Sequence, residues 1–170
     1  MGSFWFWVVL VLGIVIGPFL LMTIIGLMLP KAHTAERSAE LPVPPEQLWE
    51  IITDYEQAPS WRRGMKSIEP LPDHDGHKAW KEQGRTGSMP FYVEKVDPPR
   101  EYVTRIIDKG MPFGGSWTQT IEPTDNGAKI TVREDGLVYN PLFRFLSRFL
   151  FGHHATMDAY LADLRKHVEG

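Results

Sequence analysis

The pattern of hydrophobic and polar positions divides the chain near residue 30. From Phe4 to Leu29, 26 consecutive residues carry no charged side chain. At about 1.5 Å per residue a helix of that length reaches about 39 Å, more than the roughly 30 Å hydrocarbon core of a bilayer. Such a helix satisfies its own amides, and Trp5 and Trp7 at its leading edge suit a headgroup belt. A cleaved signal would show a basic leading region, an apolar stretch of about 7–15 residues and small residues at the cut. Met1-Gly2-Ser3 has no basic group, and Leu29-Pro30-Lys31 is a poor cleavage context. Residues 1–31 are therefore expected to form a retained transmembrane anchor, and residues 32–170 a separate domain.

Beyond Pro30 the periodicity changes. His33 to Leu41 alternates as a strand and meets Pro42, Pro44 and Pro45, the last suited to a first helical turn. Leu48, Trp49, Ile51, Ile52 and Tyr55 recur at helical spacing, predicting a helix over 46–55 that Ala58-Pro59-Ser60-Trp61 breaks. From Met65 to Tyr139 short strand-like segments alternate with turn chemistry at residues 73–76, 84–87, 97–99, 108–110 and 125–127, which predicts an antiparallel meander. Asn126-Gly127 marks its clearest hairpin. Asn140 is a natural N-cap, and Pro141 opens one long helix towards Val168. On that helix Leu142, Leu146, Leu150, His153, Met157, Tyr160, Leu161, Leu164 and Val168 share a face that packs on the sheet. The result is an α+β domain whose helix covers a concave sheet face.

Charge narrows the functional classes. The net charge of −3, with mixed signs, excludes the basic stripe of a nucleic-acid binder. No basic residue precedes the anchor, whereas Lys31, Arg37, Arg62, Arg63 and Lys66 follow it, so the domain is expected on the cytoplasmic side. The acidic run Asp73-His74-Asp75-Gly76 reads as a turn, and no metal or cofactor is expected. No nucleophile elbow, phosphate loop or zinc-protease motif is present in the sequence. At the start of the closing helix, Arg144, Arg148 and Phe151 suit a headgroup boundary as well as they suit packing against the loop at residues 111–115.

Strand parity locates candidate chemistry. Ile130, Val132, Glu134, Gly136 and Val138 share one face, which must be the inner one, and Trp117, Gln119 and Ile121 share a face of the preceding strand. Glu134 thus enters an otherwise apolar interior and needs a partner, for which Arg105 and His153 are the candidates.

The order of a strand, a Pro-rich helix start, Pro59-Ser60-Trp61, a strand entered from Asp97-Pro98-Pro99-Arg100, Trp117 to Pro123 and a closing helix from Asn140-Pro141 resembles the START-like superfamily, the polyketide cyclase and lipid-transport group. The resemblance runs from Ala32 to the end and is nearest to bacterial members. It implies a helix-grip fold, a curved antiparallel sheet wrapped around a long C-terminal helix. The implied cavity would be lined by Trp61, Arg105, Trp117, Gln119, Glu134, Leu146, Leu150, His153, Met157 and Tyr160. The expected function is membrane-tethered binding of a hydrophobic small molecule or lipid. A cyclase- or hydratase-type enzyme using Glu134 with His153, and a membrane-surface interaction module without a ligand, are the alternatives.

Overall fold

The turn signals fall where strands meet. In the computed structural model, which describes residues 2–85, 87–152 and 154–170, seven strands run β1 (Ala32–Leu41), β2 (Met65–His74), β3 (His77–Gly84), β4 (Ser88–Asp97), β5 (Glu101–Ile106), β6 (Phe113–Thr124) and β7 (Gly127–Val138). They form one antiparallel sheet in the order β1-β7-β6-β5-β4-β3-β2, so every neighbour except the β1–β7 pair is joined by a local connection. The β6–β7 hairpin closes through Thr124 paired with Gly127, leaving Asp125-Asn126 as the two-residue loop.

Alternation along these strands delivers one apolar face. Leu41, Ile121, Ala128, Ile130 and Val132 are buried on it. Against it pack α2 (Pro45–Thr53), which buries Leu48 and Ile52, and α5 (Ala155–Glu169), which buries Met157, Tyr160, Leu161 and Leu164. Each such side chain contributes about 1.5–3 kcal/mol by leaving water. The segment expected to break the second helix is itself a helical turn, α3 (Ala58–Trp61), following a 3₁₀ turn at Tyr55–Gln57. Pro59 sits in its first turn, where no backbone donor is needed, so proline starts this turn.

The closing helix is not continuous. Asn140 caps α4 (Pro141–Leu146), accepting from the Leu142 and Phe143 amides at 2.9 and 3.3 Å. A π turn follows at Ser147–Phe151, and Gly152 at φ 69° ends it before α5 begins. A left-handed residue reverses the local path and is cheap only for glycine. The two halves consequently serve different partners: α5 packs on the sheet, and α4 packs on the N-terminal helix.

That helix, α1 (Gly2–Met28), is long and apolar enough to cross a membrane, with a mean hydropathy of 2.9 over the most apolar 18 residues of Phe4–Met28. Its carboxy-terminal end is docked on α4. A Cβ on Gly26 would stand 1.9 Å from the Pro141 carbonyl oxygen, so the helices approach here only because residue 26 has no side chain. Arg144 completes the joint. Its Nη1 donates to the carbonyls of Gly26 and Leu29, and Nη2 to that of Tyr139, each at 3.1 Å.

Candidate functional site

The concave face is organised in rows across the sheet. In one row Ala35, Glu134, Trp117 and Thr104 stand side by side on β1, β7, β6 and β5. The neighbouring row is Arg37, Val132, Gln119 and Tyr102, and the one beyond it holds Ala39, Ile130 and Ile121. Ile121 and Ile130 are closed off from solvent, whereas in the Glu134 row Ala35 and Thr104 are buried and Trp117 and Glu134 are half-buried.

Tyr160 of α5 marks the boundary. Its hydroxyl donates to Gln119 Oε1 at 2.6 Å, both residues being buried. The ring meets Trp117 edge-on at 5.7 Å and Trp61 at 5.5 Å, and the Arg62 guanidinium lies 5.4 Å above it. Burial holds the Tyr160 hydroxyl well above the ordinary tyrosine range, with the Arg62 charge opposing. Sheet and helix are thus in direct contact through this layer.

On the open side of that layer Glu134 is held at both oxygens. Trp117 Nε1 donates to Oε2 at 2.9 Å, and His33 Nε2 stands 3.0 Å from Oε1. His33 reaches it from β1 by lying across Gly136, whose missing Cβ would sit 2.2 Å from the imidazole Cε1. The two side chains remain about one-fifth exposed. Inward-facing Phe91 and Ile106, paired across β4 and β5 and also half-buried, continue the face towards its edge. A second carboxylate, Glu82 of β3, accepts from Arg62 Nη1 at 3.0 Å beyond Tyr160. The arrangement provides a fixed carboxylate, a neighbouring imidazole and aromatic walls.

Of the residues expected at this site, Trp61, Trp117, Gln119, Glu134, Met157 and Tyr160 meet on the concave face. Met157 is fully buried beneath it. Arg105 does not join them. It pairs in register with Ser116, which pairs with Asp135, so it stands on the outer face, where its Nε donates to Glu94 at 2.7 Å. Leu146 and Leu150 are removed by the split of the closing helix: Leu146 belongs to α4, and Leu150 is 64% exposed. His153 lies outside the described residues, as does the side chain of Phe151. Trp5, Trp7 and Arg148 are exposed, but Arg144 is only 7% exposed. It is absent from the surface because its guanidinium is drawn to the carbonyls of Gly26, at the end of α1, and Leu29, just beyond it.

His33, Arg62 and Glu82 escaped sequence reasoning. Strand parity places His33 on the inner face of β1 with Ala35 and Leu41, and Glu82 on that of β3 with Trp80. Two open grooves on the surface lie away from Glu134. One of about 630 Å³ runs between β1 and α5 beside Arg37, Asp158 and Arg165, and one of about 400 Å³ lies beside Pro59, Lys66 and Ile68.

A curved antiparallel sheet gripping a C-terminal helix, with polar groups on its concave face, defines a helix-grip domain. The chain belongs to the family described as polyketide cyclase / dehydrase and lipid transport, whose model matches residues 32–169. Solved structures with the same fold include the Streptomyces aromatase/cyclase Zhui, at 13% identity and TM-score 0.64, over 81% of this chain and 94% of that one. Norcoclaurine synthase from Thalictrum flavum, solved with dopamine and hydroxybenzaldehyde, matches at 12% identity and TM-score 0.64 over 81% and 87%. The di-domain ARO/CYC StfQ from the steffimycin biosynthetic pathway matches at 10% identity and TM-score 0.64, with 81% of this chain covering 51% of it, about half its length. No curated protein matches the chain in sequence.

Proposed function

We propose that the protein is a membrane-tethered binder of a hydrophobic small molecule or lipid, with residues 1–31 as the anchor and residues 32–170 as the binding domain. The observation that carries the reading is the half-buried Glu134 carboxylate, oriented by Trp117 and His33 on a concave face that also presents the apolar side chains Phe91 and Ile106. Apolar contact with Trp117, Phe91 and Ile106 supplies affinity, and the carboxylate orients one hydroxyl or amine of the ligand. Membership of a family that includes lipid-transport proteins supports it. The anchor reading is supported by the hydropathy of α1 and by its docking on α4 through Arg144, a joint that a cleaved segment would not retain.

The ligand enters beside Tyr160 rather than beneath it, since Tyr160 and Gln119 close the central layer. Native mass spectrometry of the full chain, released from nanodiscs made with a bacterial polar lipid extract, tests the reading. A bound apolar species of defined mass is expected, and Glu134→Gln should reduce its occupancy several-fold. Release of bare protein across the lipid and small-molecule fractions supplied would reject it.

A second reading rests on the same pair. The His33 imidazole, 3.0 Å from a carboxylate, is a proton donor and acceptor poised at a half-open face, which suits cyclisation or dehydration chemistry. Turnover lost in His33→Gln with ligand occupancy retained would favour this reading over simple binding.

A further inference from the structure

The joint between α1 and α4 places the next turn of chain at a defined height. Resting on the reading of α1 as a membrane span, we propose that Ser147–Phe151 is a second membrane contact, with Arg148 at the headgroups and Phe149 and Leu150 in the headgroup–acyl boundary.

Position is the first argument. Gly26 meets Pro141 two residues before the apolar stretch Phe4–Met28 ends, a rise of only about 3 Å, so α4 starts at the level where the span leaves the hydrocarbon. Gly26 and Arg144 leave little freedom to move it. Surface composition is the second argument. Among the described residues outside α1, the exposed large apolar side chains are Val96, Tyr139, Phe143, Phe149 and Leu150, and four of these five fall within residues 139–150. Single exposed apolar residues are ordinary, whereas a concentration beside a membrane span marks a contact surface. Phe145 and Phe149, with ring centroids 4.9 Å apart, carry the apolar surface from α4 into the π turn. Charge is the third. No acidic residue occurs from Pro141 to Gly152, and Arg148 is exposed, as suits anionic headgroups. The same joint sets the open end of the concave face towards the bilayer, because β1 leaves α1 at Ala32, paired with Leu137 of β7, three residues from the row that holds Glu134.

The chain has no cysteine, so single labels report cleanly. Spin labels at Leu150→Cys, Ile14→Cys and Asp125→Cys, in full-length protein reconstituted into phosphatidylcholine–phosphatidylglycerol vesicles, are compared by collision with oxygen and with a water-soluble nickel chelate. The expected result is a label at residue 150 that favours oxygen, at a depth of about 5–10 Å, beside a deeply buried label at 14 and an aqueous one at 125. An aqueous label at 150 with a buried one at 14 overturns this contact and leaves the anchor standing. Aqueous labels at both overturn the anchor as well. Dipolar broadening between copies at 150, without oxygen preference, assigns the patch to self-association and likewise rejects the contact.

Discussion

Trp117 and Glu134 face each other directly across the β6–β7 ladder, and the indole N–H donates to the carboxylate at 2.9 Å. Trp117→Phe keeps the ring and its edge contact with Tyr160 while deleting the donor. One carboxylate oxygen then loses its partner in a half-buried place, which costs about 1 kcal/mol after allowance for its exposure. Urea unfolding of the chain in detergent should show that loss, and ligand occupancy should fall more than stability does, because the carboxylate is left free to rotate about the His33 contact. Equal occupancy in wild type and variant would show that Glu134 has no orienting part.

A second expectation concerns the α1–α4 joint. Gly26→Ala drives a methyl into backbone at 1.9 Å, and backbone has no rotamer by which to yield. Arg144→Met removes a donor from three carbonyls, of which Gly26 keeps the Leu29 amide, while those of Leu29 and Tyr139 each cost about 1–3 kcal/mol if left buried and unpaired. Both variants should release α4 from α1 without unfolding the sheet. Double-label distance measurements between α1 and α4 read this as a broadened distribution, while circular dichroism retains the strand signal. A narrow wild-type distance in Gly26→Ala would show that the close approach is not required.

Local chemistry explains what was readable in advance. Asp125-Asn126-Gly127 announces a turn through its own backbone preferences, and the period-2 alternation in β7 assigns Glu134 to the inner face with no knowledge of its neighbours. The partner of Glu134 was not readable. His33 lies 101 positions away and reaches the carboxylate only because residue 136, opposite it in register, is glycine. Arg105 was misplaced because β5 is apolar on both faces, with Tyr102, Val103 and Thr104 all buried, so parity there carries no signal. The continuous helix failed at Gly152 because the apolar positions on either side keep one helical rhythm while packing on different partners. Leu146 belongs to the segment docked on α1, and Met157 belongs to the core.

Two tyrosines should resist ionisation. Burial raises the hydroxyl of Tyr160 and that of Tyr102 well above the ordinary value of about 10, while unfolding returns both to it. The folded state then binds more protons than the unfolded one above about pH 10, so stability present below that pH declines as pH rises further. Phenolate absorbance should show two of the five tyrosines titrating only together with loss of the fold. Tyr160→Phe should cost about 1 kcal/mol at neutral pH through the orphaned Gln119 oxygen and should flatten the alkaline decline. Ionisation of all five below the unfolding transition would contradict the closed layer.

Facing glycines on the neighbouring strands β6 and β7 should respond differently. Gly115 and Gly136 are paired across β6 and β7. A Cβ at Gly115 meets the Asp135 carbonyl oxygen at 2.4 Å with φ at 134°, so Gly115→Ala strains the backbone and strikes an atom that has nowhere to go. A loss of several kcal/mol is expected there, of the order seen for strained or overpacked core sites. At Gly136 the atoms met first are those of the His33 ring, Cε1 at 2.2 Å and Nε2 at 2.4 Å, at the end of a rotatable side chain. Gly136→Ala should therefore turn His33 away at a cost near 1 kcal/mol or less, offset by the reduced freedom of the unfolded chain. Its effect should appear in ligand occupancy, or in turnover if the protein is an enzyme, because Glu134 keeps Trp117 but loses the imidazole. If Gly136→Ala costs as much stability as Gly115→Ala, the His33 ring does not yield and the missing Cβ at 136 serves packing of the sheet.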